Sequence, residues 1–418
     1  MTEAPEPRAI PNHLAAQNFD CEVAIVGAGI SGLALASALG GAGLDLALVD
    51  RGDLASLARP DRDGRTTAIA AGSKRVLEAI GAWASMAPDA EPILEIRVSD
   101  GESLLFLHYD HAELRAGPLG WIVENATIRR ALGERLAALS SVRTMTGSVA
   151  ALARDEHGIE LALEDGRRIR ASLVVAADGK DSSLRRIAGI GATEWRYDQT
   201  SLVCTVAHER AHRGIAHERF LQAGPFAILP MTGNRSSIVW TERADLVPAL
   251  LALGAEAFAA ELATRFGDFL GALAIEGRVF AYPLALMHAD AYVAARLALV
   301  GDAAHAIHPI AGQGLNLGLR DVAALAQSVV DAHRIGLDLG AAEPLARYER
   351  WRRFDNALMI AMTDGLNRLF STGAAPARFA RDAGLALVDR LAPAKRALMR
   401  QAMGIAGDAP RLVRGEAL

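Results

Sequence analysis

An α/β fold joined to antiparallel β structure, with helices at the C-terminus, is the architecture predicted by this sequence of 418 residues. Three observations predict it. Residues 21–50, CEVAIVGAGISGLALASALGGAGLDLALVD, read as strand, glycine turn, Ala-rich helix and strand, which is one βαβ unit of a Rossmann-like domain. Residues 93–109 and 200–240 alternate apolar and polar positions, as half-buried antiparallel strands do. After residue 290 a short strand and glycine loop lead into long helical periodicity that continues to the end.

The elements follow in order. Residues 1–19 are Pro-rich and polar and read as a flexible leader, with neither a secretory nor an organelle-import pattern. A dinucleotide-binding domain is expected from 20–85, 115–190 and 290–360, interleaved with an antiparallel-sheet substrate domain over 86–114 and 191–289, and a helical region over 361–418. Within these, ILEIRVSDGESLLFLHY has Asp-Gly at a hairpin turn, a helix is expected near 126–139, and a strand pair at 148–177 ends in VVAADG. Residues 244–275 read as one amphipathic helical stretch.

Composition narrows the function. The 44 Lys and Arg against 49 Asp and Glu give a net charge of -5 with no basic block, which argues against nucleic acid. Cys21 and Cys204 lie in no C-x-x-C or Cys/His cluster, so neither a disulfide framework nor a zinc site is indicated, and a reducing cytoplasm fits. No apolar run is long enough to span a bilayer, which leaves contact with a membrane surface open.

Three segments carry chemistry. Gly27, Gly29 and Gly32 form a G-x-G-x-x-G motif after a strand, and Asp50 ends the next strand. The first glycine permits the tight turn, the second lets backbone N–H groups approach a pyrophosphate, and the third lets helix and strand pack. The acid is placed for ribose hydroxyls. Asp178-Gly179 follows the apolar run SLVVAA, and alone such a pair is an ordinary turn. In GDAAHAIHPIAGQGLNLGLRD, Asp302 is expected to end a strand, Gly312 and Gly314 flank a loop with room for a planar ring, and Asn316 starts a long helix whose N-terminus favours negative charge.

Together these segments resemble the single-FAD aromatic hydroxylases of the para-hydroxybenzoate hydroxylase type. DGRTTAIAAGSKRVLEAIGAW, GWIVENATIRRAL, ERFLQAGPFAILPM, SSIVWTE, AYPL and GDAAHAIHPIAGQGLNLGLRDV resemble more closely the UbiH/UbiF-type hydroxylases of ubiquinone biosynthesis, over about residues 20–405. The resemblance implies FAD as cofactor, NADPH or NADH as electron donor, and oxygen transfer from a C4a-hydroperoxyflavin to a prenylated phenol. It implies that Gly27, Gly29, Gly32 and Asp50, with Arg51 beside it, hold the ADP half of FAD. Arg65 and Arg129 contact its phosphate and ribose side, and Asp302 takes the ribityl chain. Gly312, Gly314, Leu315 and Asn316 meet the ring, and Asp178 serves both FAD and the donor. Asp50 stands where many relatives carry glutamate, with the same acceptor chemistry. No catalytic side chain is assigned.

Other features read more plainly. His305 and His308 lack a third ligand for a metal and are expected to hydrogen-bond locally. Phe220, Phe226, Trp240 and Tyr282 line either the substrate pocket or the core. The C-terminal stretch 379–404 suits a membrane-surface helix or, preferably, a packed one, and partners among other ubiquinone-biosynthesis proteins follow from the resemblance alone. Arg219 and Arg235, the cations near the expected ring site, are expected to face solvent, so an apolar phenol fits better than a carboxylated one. A flavin-dependent lipid reductase, a hydroxylase of a small soluble aromatic and a non-catalytic FAD-binding subunit remain as rivals.

Overall fold

A computed structural model describes residues 18–53, 64–101, 106–113, 117–309, 312–371 and 391–418. The expected leader, apart from residues 18 and 19, and residues 379–390 of the C-terminal stretch lie outside the described residues.

The chain begins with β1 (Asn18–Val26), α1 (Ile30–Gly41) and β2 (Leu46–Asp50). Val23, Ala24 and Ile25 are completely buried, as expected of a parallel strand covered on both faces. β1 lies between β2 and strand Arg168–Ala176, parallel to both, and strand Leu297–Leu299 adds parallel to the far side of Arg168–Ala176. The segment expected as a strand pair contains three strands, Val149–Arg154, Ile159–Leu163 and Arg168–Ala176, the first two forming an antiparallel flap on the third. Turn residues at 155–158 and 164–167 divide the segment into shorter runs than its overall apolar pattern shows. Helices Asn125–Ala137 and Gln313–Arg334 accompany α1 around this sheet.

The second large sheet has eight strands, including Glu95–Asp100, Phe106–Asp110, Ala192–His208, Ile215–Leu221, Gly224–Met231, Arg235–Arg243 and Leu273–Ala289. It is antiparallel except that Glu95–Asp100 pairs parallel to Ile215–Leu221. Residues 244–275 are not one helix. Val247–Leu251 and Ala255–Phe266 are separate, Gly254 caps the second, and strand begins at Leu273.

Period-two alternation gives this sheet two different faces. Leu202, Phe226, Ile228, Ile238 and Trp240 face outward and pack with Phe258, Leu262 and Phe266 of the Ala255–Phe266 helix. Trp240 and Phe226 are therefore core, each burial being worth roughly 1.5–3 kcal/mol. The inner face turns toward helix Ala342–Ser371 and toward a small third sheet formed by Thr66–Ala70, Gly120–Glu124 and Glu91–Ile93. Helix Ala392–Ala402 also packs there, Met399 and Met403 meeting Ile93, Ile122 and Met231. None of the described helices is long and apolar enough to cross a membrane.

Candidate cofactor site

The glycine motif has the geometry its spacing requires. Gly27 has φ +106, and a Cβ there would lie 2.3 Å from the Ala177 carbonyl oxygen. Gly32 is tighter, since its Cβ would lie 1.9 Å from the carbonyl oxygen of Gly27. Gly29, the N-cap of α1, is different: a Cβ there meets nothing within 4 Å, so the helix N-terminus opens onto free space. Asp50 closes the turn from below, its Oδ2 accepting from the Ala28 amide at 2.7 Å and its Oδ1 from the Gly52 amide at 2.7 Å. Arg51 is exposed beside it.

Asp178 follows strand Arg168–Ala176. Its Oδ2 accepts from the amides of Ser183 and Leu184 and from the Ser183 hydroxyl, capping a short helix. Its Oδ1 is buried with no hydrogen-bond partner among the described residues. Asp302 does not end a strand as expected. The strand stops at Leu299 and Asp302 lies in a 3-10 turn, Gly301–Ala303, because Gly301 takes φ +58 and turns the chain sharply. The Asp302 side chain is exposed to solvent, and desolvation by the protein around it pushes its carboxyl above the ordinary range against the opposing pull of His305. Such a residue lines a recess.

The last glycine loop meets the third sheet. Gly312 has φ +61 and caps the Gln313–Arg334 helix. The Asn316 amide group donates to the carbonyls of Ala68 and Gly312 and accepts from the Ala70 amide, so its side chain latches the loop to strand Thr66–Ala70. Any contact from Asn316 to a bound ring must come from its main chain. Gly314 and Leu315 are half-buried in the first turn. Arg65, just before that strand, lies over the Tyr282 ring at 4.9 Å, and a Cβ on Gly64 would strike the Phe280 ring. Through these contacts the glycine loop and the inner face of the second sheet bound one interior. Arg129 is half-buried on the Asn125–Ala137 helix.

Sequence reasoning missed the groups beneath this loop. Asp321, on the Gln313–Arg334 helix and completely buried, accepts from the Gly301 amide at 3.1 Å and lies 2.5 Å from His305 Nε2. Its other oxygen accepts from Arg352 Nε at 2.8 Å and from the Asn356 amide at 3.1 Å. Burial alone would raise this carboxyl, but His305 and Arg352 outweigh it and hold the group well below the usual range. The signal available was the adjacent Arg320–Asp321 charge pair between the apolar stretches of that helix. Of the two histidines, His305 does bond nearby, to Asp321, whereas His308 is completely buried with neither ring nitrogen bonded among the described residues. It stands edge-on to Tyr197, and burial pushes its imidazole down to about 4, so it is neutral at pH 7. No group of three His, Cys, Asp or Glu among the described residues is arranged to hold a metal.

With this geometry in view, the model of the FAD-binding domain family matches residues 20–353. The chain is 52% identical over 398 residues to the ubiquinone hydroxylase UbiL of Rhodospirillum rubrum, covering 94% of this chain and 92% of that protein. The chain belongs to the UbiH/UbiF-type FAD-dependent hydroxylases. The 3-demethoxyubiquinol 3-hydroxylase of Escherichia coli is 36% identical over 391 residues, covering 93% of this chain and all of that enzyme (100%). Among solved structures, p-nitrophenol 4-monooxygenase from Pseudomonas putida shares the fold with a TM-score of 0.76 at 18% identity, over 94% of this chain and 100% of that one. PqsL of Pseudomonas aeruginosa, described as a probable FAD-dependent monooxygenase, has a TM-score of 0.73 at 27% identity, over 87% of this chain and 100% of its own.

The residues fit the cofactor of this hydroxylase family. The open space at Gly29 leaves an unobstructed helix N-terminus for a pyrophosphate, and the orphaned Asp178 Oδ1 and the recessed Asp302 are acceptors for hydroxyl groups. Replacing Gly29 with valine is therefore expected to leave the fold intact and lower FAD affinity by on the order of tenfold or more, because the side chain occupies space the pyrophosphate needs. FAD titration alongside a thermal unfolding midpoint checks this, and unchanged affinity would count against the assignment.

Proposed function

We propose that the protein hydroxylates a prenylated phenol on the route to ubiquinone, with FAD resident and NADPH or NADH as donor. The observation that carries the substrate class is the inner sheet face beside the glycine loop, where Val98, Ala216, Phe220, Ala227 and Leu229 present apolar surface. A carboxylated substrate would need a buried cationic partner there. Arg219 instead turns outward and donates to the Arg265 carbonyl at 2.7 Å, and Arg235, at one end of the sheet, faces Glu124 and Glu276 at 3.7 Å each.

Reduced FAD, when bound, activates O2 so that one oxygen atom reaches an electron-rich ring. The chain's part is to hold, orient and exclude water. Gly27, Gly29, Gly32, Asp50 and Arg51 take the ADP half, Arg65 and Arg129 the phosphate and ribose side, and Asp302 the ribityl chain. The first turn at Gly312, Gly314, Leu315 and Asn316 supplies main-chain N–H groups to the ring, and Asp178 serves cofactor and donor. The apolar inner face keeps water from the reacting oxygen. The same division of labour supports an FAD-binding domain built from 20–85, 115–190 and 290–360 and a substrate domain from 86–114 and 191–289. A prenyl tail needs an apolar route to this interior, which supports peripheral contact with a membrane or with other ubiquinone-biosynthesis proteins.

The test is donor oxidation in detergent under labelled O2. Prenylated phenol is expected to stimulate oxidation and to gain one labelled atom. Oxidation without incorporation would make the protein a lipid reductase, and hydroxylation of para-hydroxybenzoate with no reaction of prenylated phenols would overturn the substrate class.

A further inference from the structure

We propose that Glu218 is the polar anchor for the substrate ring, a lone carboxyl on the apolar inner sheet face that hydrogen-bonds a ring oxygen. The inference rests on the function proposed above and deepens it.

Register places the group. Glu218 lies on strand Ile215–Leu221 opposite Ala227 on one side and Val98 on the other, with Ala216 and Phe220 two residues away along its own strand. Side chains of directly opposed residues and of alternate residues share a face, so all four nearest same-face neighbours are apolar. The face is the inner one: Ala216 belongs to the cluster with Ile122, Met231 and Met403, and Phe220 stacks on Phe370 of the Ala342–Ser371 helix at 4.0 Å. His217 and Arg219, between them, point the other way, toward Phe269 and Arg265.

Among the described residues Glu218 has no hydrogen bond and no ion pair, yet its side chain is half-buried and solvent still reaches it. A carboxylate without a partner in such surroundings is costly, and burial pushes the group up to about 7. Other charges near this face are engaged elsewhere: Asp100, across from Phe220, has its own partner, and Asp364 of the facing helix binds Tyr197 and Arg368. A protonated carboxyl is both donor and acceptor, which matches the hydroxyl, methoxyl or carbonyl oxygens of a phenol or quinone ring. A structural role would favour an apolar residue at this position. A glutamate among four apolar neighbours is explained by a ligand that completes its bonding.

The experiment uses the FAD-loaded enzyme, titrated with a short-chain prenylated phenol in detergent and followed by the flavin absorbance. E218L is expected to bind the phenol about tenfold more weakly, one neutral hydrogen bond's worth, with FAD occupancy and unfolding midpoint equal to wild type or higher. E218Q, which keeps a neutral donor and acceptor, should stay within about twofold of wild type. Wild-type affinity should also fall as pH rises through about 7, and that of E218Q should not. Equal affinity in E218L and wild type overturns the anchor while leaving the hydroxylase reading intact, as does E218Q binding as weakly as E218L. A wild-type enzyme that neither binds nor hydroxylates prenylated phenols overturns both.

Discussion

Replacing Asp321 by alanine is expected to destabilise the protein by on the order of 3–5 kcal/mol and to abolish retention of FAD through purification. The reason is what the substitution leaves behind. Arg352 and His305 are 4% and 1% exposed; His305 loses its carboxylate partner, and Arg352 keeps Asp355 at 2.7 Å but is left with a buried, unbonded Nε. The Gly301 amide loses its acceptor at the same time, and Gly301 begins the turn that carries Asp302. A large share of a typical stability of about 5–15 kcal/mol would go with one side chain. The pH dependence has a definite sign. Because the folded carboxyl is held below its ordinary value of about 4, its contribution is fully present above that pH and is lost as pH falls toward the depressed value. Denaturant unfolding of the FAD-depleted protein at pH 7 and pH 3 checks both parts. A midpoint unchanged by the substitution at pH 7 would remove Asp321 from this account.

Gly32→Ala is expected to be as severe by another route. The new methyl carbon would lie 1.9 Å from the Gly27 carbonyl oxygen, and neither is a flexible group that can swing aside. Gly27 in turn is fixed by the bond from its own amide to the Val49 carbonyl at 2.7 Å, so α1 must move bodily off the sheet. Loss of soluble folded protein, or a fall in stability of several kcal/mol, is the expected result. The contrast with Gly29, three residues earlier in the same motif, is that a side chain there would meet empty space and its cost is expected to fall on binding. Comparing the two variants by thermal unfolding and FAD titration separates packing from cofactor contact within one motif. A Gly32→Ala protein with wild-type stability would contradict the close approach.

Most of the βαβ frame with its glycine turn was legible in the sequence, because its signals are local. Strand, glycine turn, helix and acid follow one another within residues 21–50, and each has a physical requirement that few residue types meet. What could not be read are the relations between distant segments. The alternation in 95–100 reveals a strand with two faces, not that its neighbour is the parallel Ile215–Leu221. The apolar run that continues to Val300 puts Asp302 at a strand end, whereas the positive φ of Gly301 redirects the chain first. Asp321 is one acid in a long helix until Arg352 and Asn356 arrive from the next helix. Glu218 reads as an ordinary outward residue of an amphipathic strand, and only the sheet shows that both of its faces are covered by protein.

The order of strands in the first sheet also bears on how the chain is made. Cys21 pairs with Ala171, and Val174 with Leu297, so the middle of this sheet is assembled from segments synthesised far apart in time. Gly27 closes against Ala177, and Ser31 of α1 packs against Gly301 and Gly318. A nascent chain that has released only β1, α1 and β2 thus presents an apolar strand with an unpaired edge and a glycine turn with nothing to hold its shape. The packing around the glycine turn is complete only late in translation, once the Gln313–Arg334 helix has emerged. Long-range strand pairing of this kind is slow, and apolar edges left unpaired meanwhile are prone to misassembly.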